Sequence, residues 1–118
     1  MTDAAQPDLT VEDRKLVTLA RATRARTGAT EGAAVRDSDG RTYAAATVDL
    51  PSLRLSALQV CVAMAVASGS KGLEAAVLLT DASAVPAADQ AALREFGGAG
   101  VVVHVGDVKG SITATSTT

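Results

Sequence analysis

The chain is short of the side chains on which most recognisable chemistry depends: it has one cysteine, one histidine, one tyrosine, one phenylalanine and no tryptophan in 118 residues. A lone cysteine, Cys61, excludes an internal disulfide and any metal site that needs two or more thiolates from one chain; it fits a reducing, cytoplasmic setting. An aromatic share of 2% removes the stacking platforms of single-strand binders. A net charge of -2 and a pI near 5.2 give no basic footprint for a phosphate backbone or an anionic bilayer, so nucleic acid is disfavoured as a partner. Residues 1–8 lack a basic region followed by an apolar stretch, so no signal peptide is read there. The longest apolar run, 60–67, falls far short of the roughly 20 residues of a membrane span, and no membrane partner is expected. What remains is aliphatic. Hydrophobic residues make up 47% of the chain and charged residues 20%, which is the composition of one globular domain with a real core. Alanine, about a fifth of the chain, favours close helix packing.

Thr10, with the acid Asp13 three residues later, reads as the start of a helix. Val11, Leu16, Leu19, Ala20 and Thr23 recur at helical spacing until Gly28 offers a stop, which predicts helix one over about 10–26. Residues 32–36 and 41–48 are extended runs around Asp37-Ser38-Asp39-Gly40, a hairpin. After Pro51-Ser52, the stretch 53–68 is apolar on all sides and predicts a central, fully buried helix. Residues 73–80 predict a buried strand, Pro86 opens a third helix ending at Gly97-Gly98, and 100–105 give another β-branched strand. The Ser/Thr-rich end has little to pack, so the predicted division is a flexible 1–9, a single domain over 10–107 and a flexible tail over 108–118. A hairpin followed by strands alternating with helices predicts an α/β fold: a three-layer α/β/α arrangement around a mixed sheet, parallel where helices cross over.

The hairpin carries a further pattern: Glu31-Gly32-Ala33-Ala34-Val35, the Asp39-Gly40 turn, Tyr43, then Thr47-Val48-Asp49. It resembles the cytidine deaminase family, whose members show a Val-Gly-Ala-Ala strand, an Asp-Gly turn and a Tyr-x-Gly-x-Asn-Val-Glu strand before an apolar helix opening with a catalytic Cys-Ala-Glu. Ala65-Val66-Ala67-Ser68-Gly69 is similar to the end of that helix, and Leu93-Arg94-Glu95-Phe96 to the end of the helix after the family's Pro-Cys-Gly-x-Cys motif. The resemblance implies a cytidine deaminase-like fold, a homo-oligomer (tetramer or dimer), a nucleoside-like ligand and zinc-assisted hydrolytic deamination of cytidine to uridine. Degenerate members in high-GC bacteria lie beside a ribosome-assembly GTPase, which implies a link to ribosome maturation.

At the positions that carry the family's chemistry this chain departs from it. The first zinc ligand falls on Ser56 and the proton-shuttling Glu on Leu58, which cannot move a proton. The two-cysteine segment falls on Val85-Pro86-Ala87-Ala88-Asp89-Gln90, where no cysteine stands and one Asp cannot replace three N/S donors. The ribose-binding Asn and Glu fall on Thr47 and Asp49, shorter groups that keep some polarity and are the candidate substrate-pocket residues; the stacking aromatic falls near Ala29 and is lost. The family's C-terminal Leu-Leu-Pro-x-x-Phe element has no counterpart after Gly110.

The remaining reactive residues read structurally. Cys61 is a small buried hydrophobe, His104 a strand histidine with a local hydrogen bond, Ser56 a helix cap, and Gly97-Gly98-Ala99-Gly100 a helix-to-strand connection rather than a phosphate loop. Arg21, Arg24 and Arg26 form a solvated face. We therefore expect a catalytically inactive, zinc-free cytidine deaminase-like protein acting as an oligomeric binding or assembly module. The alternative is a working cytidine deaminase with a non-standard site. Leu55, Leu58, Val62 and Val66 are candidates for a subunit interface or the core beneath it.

Overall fold

In the computed structural model, which describes residues 9–118, helix α1 (Val11–Thr27) starts where its cap residue predicts: the Thr10 hydroxyl accepts from the Asp13 amide. It stops at Gly28, whose φ of 67° is the left-handed conformation that a glycine adopts without a Cβ clash. Two strands follow as an antiparallel hairpin, β1 (Gly32–Asp37) and β2 (Thr42–Ala46), in register from Gly32↔Ala46 to Arg36↔Thr42.

The stretch expected to be one long helix divides. Val48–Leu50 (β3) and Leu53–Leu55 (β4) pair as a small separate ribbon turned by Pro51-Ser52, and α2 begins only at Ala57. The reason is a capping box: Ser56 accepts from the Gln59 amide while the Gln59 side chain accepts from the Ser56 amide. Nor is α2 (Ala57–Ala67) buried all round. Ala57, Leu58, Cys61, Val62 and Ala65 face the core, while Ala63, Val66 and Ala67 are exposed, Val66 at 53%.

Strand β5 (Leu73–Leu79), helix α3 (Ala87–Gly97) and strand β6 (Val102–Gly106) then form a crossover unit, and β7 (Ile112–Thr117) closes the sheet in the order β2-β1-β5-β6-β7. The expected flexible tail is thus largely a strand. Residues of β7 pair antiparallel with β6 from Val102↔Thr117 to Gly106↔Ile112, so backbone hydrogen bonds and the buried Ile112 hold a segment whose hydroxyl side chains supply little packing. Of the expected flexible N-terminus, residues 1–8 lie outside the described residues.

Parallel pairing follows the crossovers with one twist. β5 and β6, joined by α3, are parallel neighbours. β2 and β5, joined by α2, also run in one direction, but the chain passes over β1, which pairs antiparallel with both.

Alternation along the central strands divides the core in two. Ala34, Ala75, Val77 and Leu79 meet Leu16, Val17 and Ala20 of α1; Val35, Ala76, Leu78, Val103 and Val105 meet Leu58, Cys61 and Ala65 of α2 and Leu93 of α3. α1 lies so close to β1 that a Cβ at Gly32 would collide with the Ala20 carbonyl oxygen and the Arg24 Cβ. Gly32→Ala should therefore lower unfolding free energy by roughly 1–3 kcal/mol by overpacking, read as a lower urea midpoint with an unchanged slope.

Candidate functional site

The N-termini of α2 and α3 converge on one polar contact. Ser56 caps α2, and its hydroxyl also donates to Asp89 Oδ1 of α3 at 2.7 Å. Asp89 sits in the first turn of α3, where the helix dipole favours a carboxylate, and is 2% exposed. Its second oxygen, Oδ2, is buried and accepts from no protein group among the described residues. Leu58, in the first turn of α2, is wholly buried in the core between helix and sheet.

Thr47 and Asp49 do not join this corner through any polar contact. Thr47 Oγ1 accepts from the Glu31 amide at 3.1 Å and lies 3.2 Å from the Thr30 hydroxyl, tying the end of β2 to the start of β1. Asp49, on β3, is exposed and pairs with Arg54 across the ribbon at 3.3 Å. Beside Thr47, the Thr80 hydroxyl at the end of β5 donates to Glu31 Oε2 at 2.7 Å and accepts from the Ala82 amide, so this edge of the sheet is polar and internally satisfied. Glu31 opens the hairpin pattern but was given no role there, Thr80 was not singled out, and only the fold brings these positions 49 apart together.

The other polar centres pin the layers. His104 does bond within its sheet, its Nδ1 lying 2.8 Å from Thr115 Oγ1 of β7, but its Nε2 reaches Asp13 Oδ2 of α1 at the same distance. An ionised carboxylate only accepts, so Nε2 carries a proton and the Thr115 hydroxyl donates to Nδ1 when the ring is neutral. Arg36 of β1 binds the other Asp13 oxygen at 3.0 Å and Glu74 of β5 at 2.9 Å. This is why Asp13 does not complete a capping box with Thr10: its side chain turns onto the sheet. Burial alone would raise the Asp13 pKa, but the hydrogen bonds from His104 and Arg36 outweigh it and hold the carboxyl below 3.8. Asp37, at the end of β1, behaves likewise. Its burial is outweighed by donors from the Ser70 hydroxyl, the Arg41 and Asp39 amides and the Tyr43 hydroxyl. Cys61 is buried, and the loss of solvation pushes its thiol up to about 12, far from a reactive thiolate.

The donor set does not fit the zinc that the resemblance implies. One carboxylate with one oxygen already engaged, one hydroxyl and alanines at 87 and 88 stand where three N/S ligands are needed. Among the described residues, no three His, Cys, Asp or Glu side chains gather as a metal-binding group. No helix among them is long and apolar enough to cross a membrane.

Comparison with known proteins converges on one fold. A family model described as cytidine deaminase-like matches residues 9–110. The cytidine deaminase of Mycobacterium leprae superposes with a TM-score of 0.72 at 23% identity, covering 92% of this chain and 94% of the other. That of Burkholderia pseudomallei gives 0.77 at 20% identity over 92% of each chain. The enzyme of Bacillus anthracis gives 0.66 at 15% identity, over 92% of this chain and 84% of its own. Among curated proteins no sequence matches this one.

Two of the buried carboxyls, Asp13 and Asp37, have folded-state pKa values depressed below 3.8. Their contribution to stability is complete above that value and is lost as pH falls through the folded-state values. The thermal midpoint should therefore hold as acid is added until about pH 4 and then drop steeply. Asp37→Asn should lower the plateau and flatten the drop, as followed by circular dichroism.

Proposed function

The chain belongs to the cytidine deaminase-like family, and from that premise we propose that it is a catalytically inactive, zinc-free member that uses the fold for self-association and binding. The observation that carries this reading is the 2.7 Å hydrogen bond between Ser56 and Asp89. It links the two helix N-termini at the corner where the family's metal chemistry resides, with groups that can neither ionise water through zinc nor shuttle a proton at position 58. Leu58 supports the reading a second time, since its wholly buried side chain fills the place of the general acid and base with core.

Binding is the role that this leaves to the fold. α2 presents Ala63 and Val66 outward, and the β3–β4 ribbon presents Leu50 and Leu53, at 55% and 49% exposure. Apolar groups left outside a 118-residue domain support a partner for this side, and a second copy of the chain is the partner that the family resemblance favours. Of the four interface candidates read from the sequence, Leu58 and Val62 are core, Leu55 is half-buried and Val66 is free to meet a partner. For a nucleoside-like ligand Thr47 is the better-placed contact, because Asp49 is occupied by Arg54 at the surface. The link to ribosome maturation rests on the family resemblance alone.

Elemental analysis of the purified protein, with an assay of cytidine conversion to uridine, tests the proposal. The expected result is zinc far below one atom per chain and no uridine above background; about one zinc per chain together with uridine formation would overturn it. Leu58→Glu should restore no activity and should destabilise the fold by several kcal/mol, because its carboxylate would be buried without a partner. Ser56→Ala should cost about 1–2 kcal/mol as a lost helix cap, and more where it leaves both Asp89 oxygens unpartnered. The denaturant midpoints of both variants check these values.

A further inference from the structure

We propose that β7 is a second self-association surface, on which another copy of this chain lays its own β7 antiparallel about a two-fold axis. The strand is the outer member of the sheet. One side of its backbone is paired with β6, and the groups on its other side have no strand partner among the described residues. Natural edge strands are guarded against such pairing by charge, proline, a bulge or a covering element. Ile-Thr-Ala-Thr-Ser-Thr contains no charge and no proline, and every residue after Ile112 is exposed. The single register shift lies at its beginning, near Gly106, and leaves the rest regular. The opposite edge strand, β2, likewise holds no charge or proline, but it is largely covered: Ala45 and Ala46 are buried and Tyr43 and Ala44 half-buried, and Arg41 stands directly before it.

The strand is also preorganised. Its middle is fixed by the bond between Thr115 and His104, and its end by Thr118, whose amide donates to the Val101 carbonyl and whose hydroxyl donates to the Gly98 carbonyl. A strand already ordered loses little entropy on pairing.

The occupant is a second copy because the sequence is nearly symmetric about Thr115. Antiparallel self-pairing centred there sets Thr113 against Thr117 and Ala114 against Ser116, on both sides of the axis. Hydroxyl pairs between β-branched residues stabilise directly opposed positions, whereas any charged residue near the axis would face its own like charge. None is present. This surface is independent of α2, whose self-association belongs to the proposed function; two different two-fold interfaces on one subunit close into a tetramer of dihedral symmetry where their axes cross at right angles, the arrangement proposed for this chain.

Light scattering on Val66→Asp, Ser116→Lys and the double variant separates the two surfaces. The expected masses are four chains for the wild type, two for each single variant and one for the double. Val66→Asp running as a single chain at every concentration, or Ser116→Lys keeping the wild-type mass, would overturn strand pairing. If Val66→Asp keeps the full mass while Ser116→Lys halves it, strand pairing stands and the helix-face reading fails. Should Ser116→Lys not fold, Thr115→Cys under mild oxidation decides. Pairing predicts a disulfide-linked dimer from cysteines facing each other across the axis, with the buried Cys61 silent, and absence of the link would count against it.

Discussion

The structure depends on one constraint: three central strands, β1, β5 and β6, carry apolar side chains on both faces and must be covered on both. Only helices joined by crossovers can do this in so short a chain, with α1 on one side and α2 and α3 on the other. The core side chains are small. With alanines at 20, 33, 34, 57, 65, 75 and 76, all at most 1% exposed, layers approach closely, and a glycine is required where α1 crosses β1. Thin packing of this kind gains less per residue from apolar burial than a core rich in leucine or aromatics would. The fold compensates with buried polar pins at layer junctions: Asp13 with His104 and Arg36 beneath α1, Asp37 with Tyr43 and Ser70 at the sheet end, and Ser56 with Asp89 between α2 and α3.

The fold was legible where periodicity and punctuation agree. Thr10 and Gly28 bound α1 within a residue of its predicted limits, and the Asp39-Gly40 turn, Pro86 and Gly97-Gly98 each mark a real boundary. Legibility failed where a local signal was outweighed by an apolar run. Ser56-Ala57-Leu58-Gln59 is a capping box within the sequence, yet the surrounding leucines read as continuous helix and hid the β3–β4 ribbon. β7 was illegible for a different reason. Its threonines have strand propensity, but what orders it is the unpaired edge of β6, which no property of the segment itself reveals.

The site was legible as a set of departures and illegible as a construction. Ser56 and Leu58 could be placed by their distance from the end of their helix, and Ser56 could be read as a cap. Its bond to Asp89 joins positions 33 apart, and the Asp13–His104 bond joins positions 91 apart. Asp89 was weighed from the sequence only as an inadequate metal ligand, whereas in the structure it accepts from the serine that caps α2.

On the proposed zinc-free reading, that pair does the mechanical work of holding the corner together. A metal held by residues of both helices would neutralise anionic ligands and fasten the helices together. Two positive dipole ends, those of α2 and α3, meet at this contact, an arrangement that a single carboxylate relieves. Asp89 supplies the charge and Ser56 supplies both the helix cap and the hydrogen bond, so two residues fasten the helix starts together. Leu58, in the first turn of α2, is wholly buried hydrocarbon. The second Asp89 oxygen has no partner among the described residues: one hydroxyl cannot satisfy both oxygens of a carboxylate, and the corner keeps a residual demand for a hydrogen-bond donor.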